Sequence, residues 1–220
     1  MNFRHTFSSA VIGACAIAVL APAARAASEE VVVPVTIISD TKGAAQMQTA
    51  VLAGGCFWGV ESVFEHVKGV QKVVSGYAGG TAKDADYDVV STGRTGHAES
   101  VQVTFNPREI SYGEILRVFF SVAHDPTQLN RQGPDTGTQY RSAVYWTTEA
   151  QREAAIASAA RYQAALDRGG FGAITTELAE AGPFYYAEEY HQQYLAKNPW
   201  GYCGIGGTGV SCPVAVVSAG

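Results

Sequence analysis

The order of hydrophobic segments predicts an α+β fold, a two-layer plait of the split βαβ (ferredoxin-like) type with a long glycine-rich C-terminal tail. Two observations carry this prediction. Short apolar runs alternate with segments of helical periodicity, in the order strand, helix, strand, twice over. After the last of them, residues 199–213 consist largely of glycine and other small residues, which favours a mobile tail.

The first 26 residues have the three regions of a secretory signal peptide. A basic start with Arg4 precedes an apolar run over 10–23 and a small-x-small cleavage site, and this run is too short for an ordinary membrane-spanning helix. We therefore expect export without stable membrane insertion, into the periplasm if the source is Gram-negative. A lipid anchor at Cys15 is the minor alternative. Residues 27–47 show no clear helical period and are interpreted as an N-terminal arm or linker.

The first strand and helix flank Cys56. The run TAVLAGG at 49–55 predicts a short strand, and VQKVVSGYAGG at 70–80 predicts a second strand that enters a glycine-rich loop. Between them, apolar residues recur at helical spacing, at Val60, Val63, Phe64 and Val67. This spacing predicts one helix face, and Gly69 ends the helix.

The second half of the pattern begins with the strand ESVQVTFNP at 99–107, in which Val101, Val103 and Phe105 should face inward. Ser111 and Glu114 match a capping box that opens a helix over 111–124. The remaining predicted elements, in chain order, are a strand at 140–146, an alanine-rich helix at 147–168, a strand at 173–181 and a last helix at 185–198.

Charge and glycine patterns exclude several classes of function. The net charge is −5, and it becomes −7 after loss of a leader that contains Arg4, Arg25 and no acidic residue. No basic run remains, so nucleic acid is not an expected partner. No phosphate-binding glycine loop precedes a helix, so nucleotide chemistry is not expected and no cofactor is predicted.

The cysteine count points to thiol chemistry. Of the four cysteines, three remain after the leader: Cys56, Cys203 and Cys212. An odd number in an oxidising compartment leaves one thiol free or exchanging. Metal ligation fits badly, because Cys203 and Cys212 are too far apart for a zinc knuckle and no histidine pair lies near them at ligand spacing. Two interpretations remain open. The three cysteines could form one structural disulfide and one buried thiol, or all three could exchange disulfides.

The setting of Cys56 favours a reactive thiol. A strand that leads through Gly54 and Gly55 into a helix places Cys56 at the helix N-terminus, where unpaired N–H groups and the dipole favour the thiolate. Phe57 and Trp58 follow in the first turn and could form an apolar wall for a small hydrophobic group, although both could equally be core residues.

Candidate acid, base and hydrogen-bonding groups lie elsewhere in the sequence. His97 and Glu99 precede a strand, at an end where side chains can point into a cleft, although each alone could be a solvated residue. Three further polar candidates stand in glycine-rich or polar loops: Tyr77, Asp135 and Tyr140. The other histidines look like surface or capping residues and receive no role, namely His66, His124 and His191.

Five motifs in one order carry a resemblance to a known family: GGCFWGVE, SGYAGG, GHAE, GPDTGTQYRSAVY and NPWGYCGIGGTGVSCP. Together they closely resemble the peptide methionine sulfoxide reductases of the A type. The likeness covers residues 48–213, so these form the expected catalytic domain, including the cysteine-bearing tail at 199–213. Residues 214–220 are expected to be a disordered C-terminus.

The resemblance implies a role for each candidate residue. Cys56 would attack the sulfur of methionine S-sulfoxide, and Glu99 would protonate the sulfoxide oxygen, assisted by the hydroxyls of Tyr77 and Tyr140. Phe57 and Trp58 would hold the methyl group of the substrate. Asp135 would stand on the polar side of the site, and His97 belongs with these substrate-binding candidates.

The resemblance also implies a relay of disulfides. Loss of oxygen would leave Cys56 as a sulfenic acid, Cys203 would form the first disulfide, and Cys212 would pass it to a thioredoxin-like dithiol. The expected substrates are oxidised proteins that contain methionine S-sulfoxide, and the protein is expected to be a monomer without a metal. Export separates it from ordinary cytoplasmic thioredoxin, so a dedicated reductant would be needed.

Two other functions remain as alternatives. A thiol hydrolase would use Cys56 as nucleophile and His97 as base and would need no resolving cysteines. A non-catalytic secreted binding protein would have a Cys203–Cys212 disulfide and a buried, unreactive Cys56. Neither of these functions uses all three cysteines together with the loop that carries Glu99.

Overall fold

A computed structural model describes residues 46–202 and 206–209 of the 220-residue chain. The proposed leader, the arm up to residue 45, both tail cysteines and the proposed disordered C-terminus lie outside these residues. The strands are β1 Gln48–Gly54, β2 Val70–Ala78, β3 Ala98–Phe105, β4 Arg131–Gln132, β5 Asp135–Thr136, β6 Ser142–Trp146, β7 Glu177–Glu180 and β8 Tyr185–Tyr186. The α-helices are α1 Phe57–Glu65, α2 Tyr87–Val90, α3 Tyr112–Val118, α4 Glu149–Arg168 and α5 Tyr194–Lys197.

The fold is mixed α and β around one central sheet. Six strands form it in the order β7-β6-β1-β3-β2-β8, and β4 pairs with β5 in a small separate ribbon. Neighbours in the large sheet are antiparallel, apart from the parallel β6–β7 pair. Strand β1 lies at the centre and leads into α1, so the turn that contains Cys56 begins at the middle of the sheet. None of the helices in the described part of the chain is long and apolar enough to span a membrane.

The main core lies between the sheet and the helices. Val101, Val103 and Phe105 are completely buried in it, as their alternation predicted, and they pack with Phe64 of α1. The opposite face of the sheet carries smaller side chains, among them Ala53 on β1. Since side chains alternate across a strand, each of these strands contributes to both faces.

The capping box predicted at Ser111 and Glu114 is confirmed at the start of α3. The Ser111 hydroxyl accepts the N–H of Glu114 at 3.2 Å, and the Glu114 carboxylate accepts the N–H of Ser111 at 2.8 Å. These reciprocal bonds satisfy two backbone donors at the helix start. α3 passes into a π-helical turn, Phe119–Ala123, whose C-cap is His124.

The prediction of a single last helix at 185–198 is wrong. This stretch contains β8, a 3₁₀ turn Glu189–His191 and the short helix α5. The side chain of Gln192 bonds the backbone N–H and carbonyl of Ser75 at 3.0 and 2.9 Å, which fixes the segment along β2. Gln193 then adopts a left-handed conformation with φ of 48°, which a continuous helix cannot contain.

Candidate active site

Cys56 lies between β1 and α1, at the N-cap of the helix, as the sequence predicted. Gly55 makes the turn possible with φ of +94°, and a Cβ on it would lie 2.6 Å from the side chain of Gln132. Only glycine fits both demands without strain. The thiol is half-buried, which leaves it open to a substrate on one side.

Glu99 lies beside Cys56. It is 1% exposed on β3, and its Oε2 accepts the backbone N–H of Phe57 at 3.1 Å. Burial raises the pKa of Glu99 to about 8, against the smaller opposing effect of the Phe57 N–H, and the charge of Asp135 adds to the rise. The carboxyl group is therefore mainly protonated at neutral pH and can donate a proton.

The prediction that Cys56 is a thiolate at rest is wrong. Burial raises the pKa of Cys56 well above its usual range, and the nearby carboxylate of Glu99 raises it further. The N–H groups of Trp58 and Gly59 lower the pKa, but by less than the loss of solvation raises it. The resting site therefore contains a thiol next to a protonated carboxylic acid.

The two aromatic residues after Cys56 have different surroundings. Phe57 is 1% exposed and belongs to the core, with its ring 5.9 Å from that of Tyr77. Trp58 is only partly buried and stacks on Tyr194 at 3.7 Å between ring centroids. Its indole Nε1–H donates to Nδ1 of His191 at 3.0 Å, which fixes the ring orientation. Of the two, Trp58 is the one that still reaches the surface.

Tyr140 and Asp135 share the electrostatic surroundings of Glu99. Burial, then the charges of Glu99 and Asp135, raise the pKa of Tyr140 above its usual range, so its hydroxyl keeps its proton. Asp135 is partly exposed and accepts the hydroxyl of Tyr202 at 3.0 Å. Tyr202 immediately precedes Cys203, so the described tail reaches the polar side of this site.

Tyr77 does not present its hydroxyl to the site in this structure. The side chain is completely buried, and its O–H donates to Oε2 of Glu188 at 2.7 Å. A tyrosine has one hydroxyl proton, so that proton is already used. In this arrangement Tyr77 contacts Glu188 and has no hydroxyl proton left for a substrate oxygen.

Tyr87 was missed by sequence reasoning. It is partly exposed at the first position of α2, and its ring centroid lies 4.4 Å from that of His191. Burial raises the pKa of Tyr87, and Glu99 and Cys56 are among the charges that contribute. The same His191 ring lies 5.0 Å from that of Phe57, the residue after Cys56, so Tyr87 borders the site. The only signal in the sequence is a lone aromatic residue in a polar stretch.

The histidines differ from their predictions. His191 is 1% exposed, so its assignment as a surface or capping residue is wrong. His124 is also 1% exposed, but it is the C-cap of the turn Phe119–Ala123, and its Nδ1 lies 3.0 Å from the carbonyl of Phe119. His66 is exposed beyond the end of α1, as expected. His97 is also 1% exposed, and its Nε2 lies 3.0 Å from the carbonyl of Thr81, to which it donates when protonated. Each of the three buried rings is held by hydrogen bonds inside the fold.

Further contacts of the tail lie beyond the first of its two cysteines. The hydroxyls of Thr208 and Tyr162 are 3.0 Å apart, which attaches the described part of the tail to α4. Within residues 46–202 and 206–209, no cluster of three histidine, cysteine or acidic side chains is arranged to hold a metal ion.

Comparison with known proteins identifies the family. The family model for peptide methionine sulfoxide reductase matches residues 48–210. Peptide methionine sulfoxide reductase MsrA 1 of Caulobacter vibrioides is 58% identical over 170 residues, which cover 77% of this chain and 78% of the relative. The mitochondrial peptide methionine sulfoxide reductase of Rattus norvegicus is 55% identical over 169 residues, covering 77% and 72%.

Solved structures agree with these relatives. Methionine sulfoxide reductase A of Corynebacterium diphtheriae is 38% identical, covers 80% of this chain and 88% of its own, and has a TM-score of 0.68. Reduced Mxr1 from Saccharomyces cerevisiae is 35% identical, with coverage of 76% and 93% and a TM-score of 0.64. Family, fold and the thiol–carboxyl site agree: the chain belongs to the A-type peptide methionine sulfoxide reductases, thiol-dependent enzymes that act on methionine S-sulfoxide.

Proposed function

We propose that Cys56 is the nucleophile with which this enzyme reduces methionine S-sulfoxide in oxidised proteins, and that Glu99 is its acid. The Cys56 sulfur attacks the sulfoxide sulfur while Glu99 donates its proton to the oxygen. The oxygen then passes to Cys56, which yields methionine and a Cys56 sulfenic acid, and the thiol proton restores the Glu99 carboxyl group. The observation that carries this proposal is the buried Glu99, bonded to the N–H of the residue after Cys56.

The remaining groups of the site fit the two ends of a sulfoxide. We assign the hydroxyls of Tyr87 and Tyr140 to the polar oxygen, because both share the electrostatic surroundings of Glu99 and keep their protons. Trp58 provides the apolar wall for the substrate methyl group, with Phe57 packed beside it. Asp135 lines the polar side, where the tail also arrives.

Turnover requires the oxidised Cys56 to be reduced. The Cys203 thiol would attack the sulfenic sulfur, releasing water and forming a Cys56–Cys203 disulfide. Cys212 would then attack Cys203, which frees the Cys56 thiol and leaves a disulfide in the tail. A thioredoxin-like dithiol would reduce that disulfide. The contact of Tyr202 with Asp135 supports this order, because it brings the residue before Cys203 to the site.

The finer fold and the location are proposed with the function. The order β6-β1-β3-β2 and the α1 crossover from β1 to β2 support a split βαβ plait as the core of the sheet. Residues 1–26 support export by a cleaved leader, with the catalytic domain beginning at residue 48.

The test is epimer-resolved chromatography of a dabsylated methionine sulfoxide racemate, after incubation of the mature protein with dithiothreitol. We expect loss of the S epimer alone, and no loss with Cys56→Ser. Consumption of the S epimer by the Cys56→Ser variant would overturn the assignment of the nucleophile.

A further inference from the structure

One carboxylate that takes no part in the proposed chemistry joins three segments around the site. Glu188 follows β8; its Oε2 accepts the hydroxyl of Tyr77 on β2 at 2.7 Å, and its Oε1 accepts the backbone N–H of Tyr87 at 2.9 Å. Oε2 also lies 3.9 Å from Nε2 of His191. Burial alone would raise the pKa of Glu188, but the Tyr87 N–H and the Tyr77 hydroxyl lower it overall, so the group is ionised at neutral pH.

The helix that begins with Tyr87 depends on this contact. α2 has four residues, and a helix this short has no stability of its own in water. Two acidic side chains satisfy its first N–H groups: Asp86 accepts that of Asp88 at 3.1 Å, and Glu188 accepts that of Tyr87. The second comes from a residue 101 positions along the chain, so Tyr87 is fixed by tertiary structure.

Glu188 also faces the histidine that orients Trp58. The indole N–H of Trp58 can only donate, so Nδ1 of His191 accepts and the neutral ring has its proton on Nε2. That nitrogen makes no hydrogen bond within the described residues, and Oε2 of Glu188 lies 3.9 Å from it. The rings of His191 and Tyr87 lie 4.4 Å apart, so the segment that carries Glu188 borders both Trp58 and Tyr87.

We propose that Glu188 is a positioning residue that places the Tyr87 hydroxyl beside Cys56 and Glu99, and that Tyr77 acts through Glu188 without contacting the substrate. This inference rests on the proposed function of Cys56 and Tyr87. In this role the buried Tyr77 hydroxyl holds the Glu188 carboxylate through their hydrogen bond.

A double-mutant cycle tests the proposal. The measurement is the single-turnover formation of methionine from a sulfoxide peptide without reductant, using Glu188→Ala, Tyr87→Phe and the double variant. We expect each single change to slow the reaction about tenfold, the loss of one well-placed hydrogen bond. The double variant should be no slower than Tyr87→Phe, because Glu188 has nothing left to position.

A second cycle separates the two roles open to Tyr77. Tyr77→Phe should slow the single-turnover rate in the wild-type background and have no effect in Glu188→Ala. If Tyr77 contacts the substrate directly, the two losses multiply. The matched control is Glu189→Ala, the next residue along the chain, which is exposed and lies 3.5 Å from Lys197. Its rate should equal that of the wild type.

Conservative replacement guards against misfolding as an explanation. In Glu188→Gln an amide oxygen can still accept the Tyr87 N–H, so it should recover part of the rate that Glu188→Ala loses. The proposal is overturned if the losses of Glu188→Ala and Tyr87→Phe multiply, if Glu188→Ala or Tyr87→Phe is as fast as Glu189→Ala, or if Glu188→Gln recovers nothing. None of these results touches the role of Cys56, which fails only if Cys56→Ser still forms methionine.

Discussion

Replacing Glu99 by glutamine tests whether its proton is used in the reaction. Glutamine has the same shape and can still accept the N–H of Phe57, which Glu99 accepts at 3.1 Å. It cannot give a proton to the sulfoxide oxygen. A well-placed general acid contributes about 10²–10⁴-fold, so the single-turnover rate should fall by that factor in Glu99→Gln.

The magnitude of the pKa shift explains why an acid can work here at neutral pH. With its ordinary pKa of 4.5, Glu99 would be about 0.3% protonated at pH 7, whereas a pKa of about 8 leaves about 90% protonated. The wild-type single-turnover rate should therefore be level near pH 6 and fall as pH rises through about 8. Glu99→Gln should lack this fall.

Stability gives an independent measurement of the same proton. The pKa of Glu99 is raised on folding from 4.5 to about 8, so its favourable contribution is complete below 4.5 and is lost as pH rises through about 8. At about 1.4 kcal/mol per unit, the full loss is several kcal/mol. Glutamine never ionises, so the melting temperature of Glu99→Gln relative to wild type should increase between pH 5 and pH 9. A variant with the wild-type rate near pH 7, or with no such increase, would refute the reasoning.

Three further changes have expected outcomes. Gly55→Ala should lower the free energy of unfolding, measured with urea, by about 1–3 kcal/mol, since its Cβ would collide with Gln132 at positive φ. Ser111→Ala removes the capping box and should cost about 1 kcal/mol in the same assay, with the single-turnover rate unchanged. Trp58→Phe keeps an aromatic wall but leaves Nδ1 of buried His191 without its donor, so KM should rise more than kcat falls. A larger effect on kcat would contradict this assignment of Trp58.

Local patterns explain which parts of the site the sequence could predict. The turn at Gly55 and the capping box at Ser111 depend on residues within a few positions of one another, and both are present as predicted. The strand alternation that buried Val101 and Val103 is equally local. Periodicity and capping residues describe such contacts directly.

Long-range contacts explain what the sequence could not predict. The last predicted helix is interrupted because Gln192 bonds the backbone of Ser75, 117 positions earlier. Glu188 accepts the N–H of Tyr87 across 101 positions, and Trp58 donates to the buried His191 across 133 positions. None of these partners can be chosen from spacing alone, since any of several polar residues could have made each bond.

The state of the two reacting groups at rest has a chemical consequence. A thiolate next to an ionised carboxylate would repel it, and the same burial that raises the pKa of Glu99 also raises that of Cys56. Reduction of a sulfoxide needs one proton on the departing oxygen and releases one from the attacking thiol. A site that holds both protons before the substrate arrives can therefore complete the oxygen transfer without a proton from solvent. The resting thiol is a weaker nucleophile than a thiolate, so the attack depends on transfer of its proton within the site.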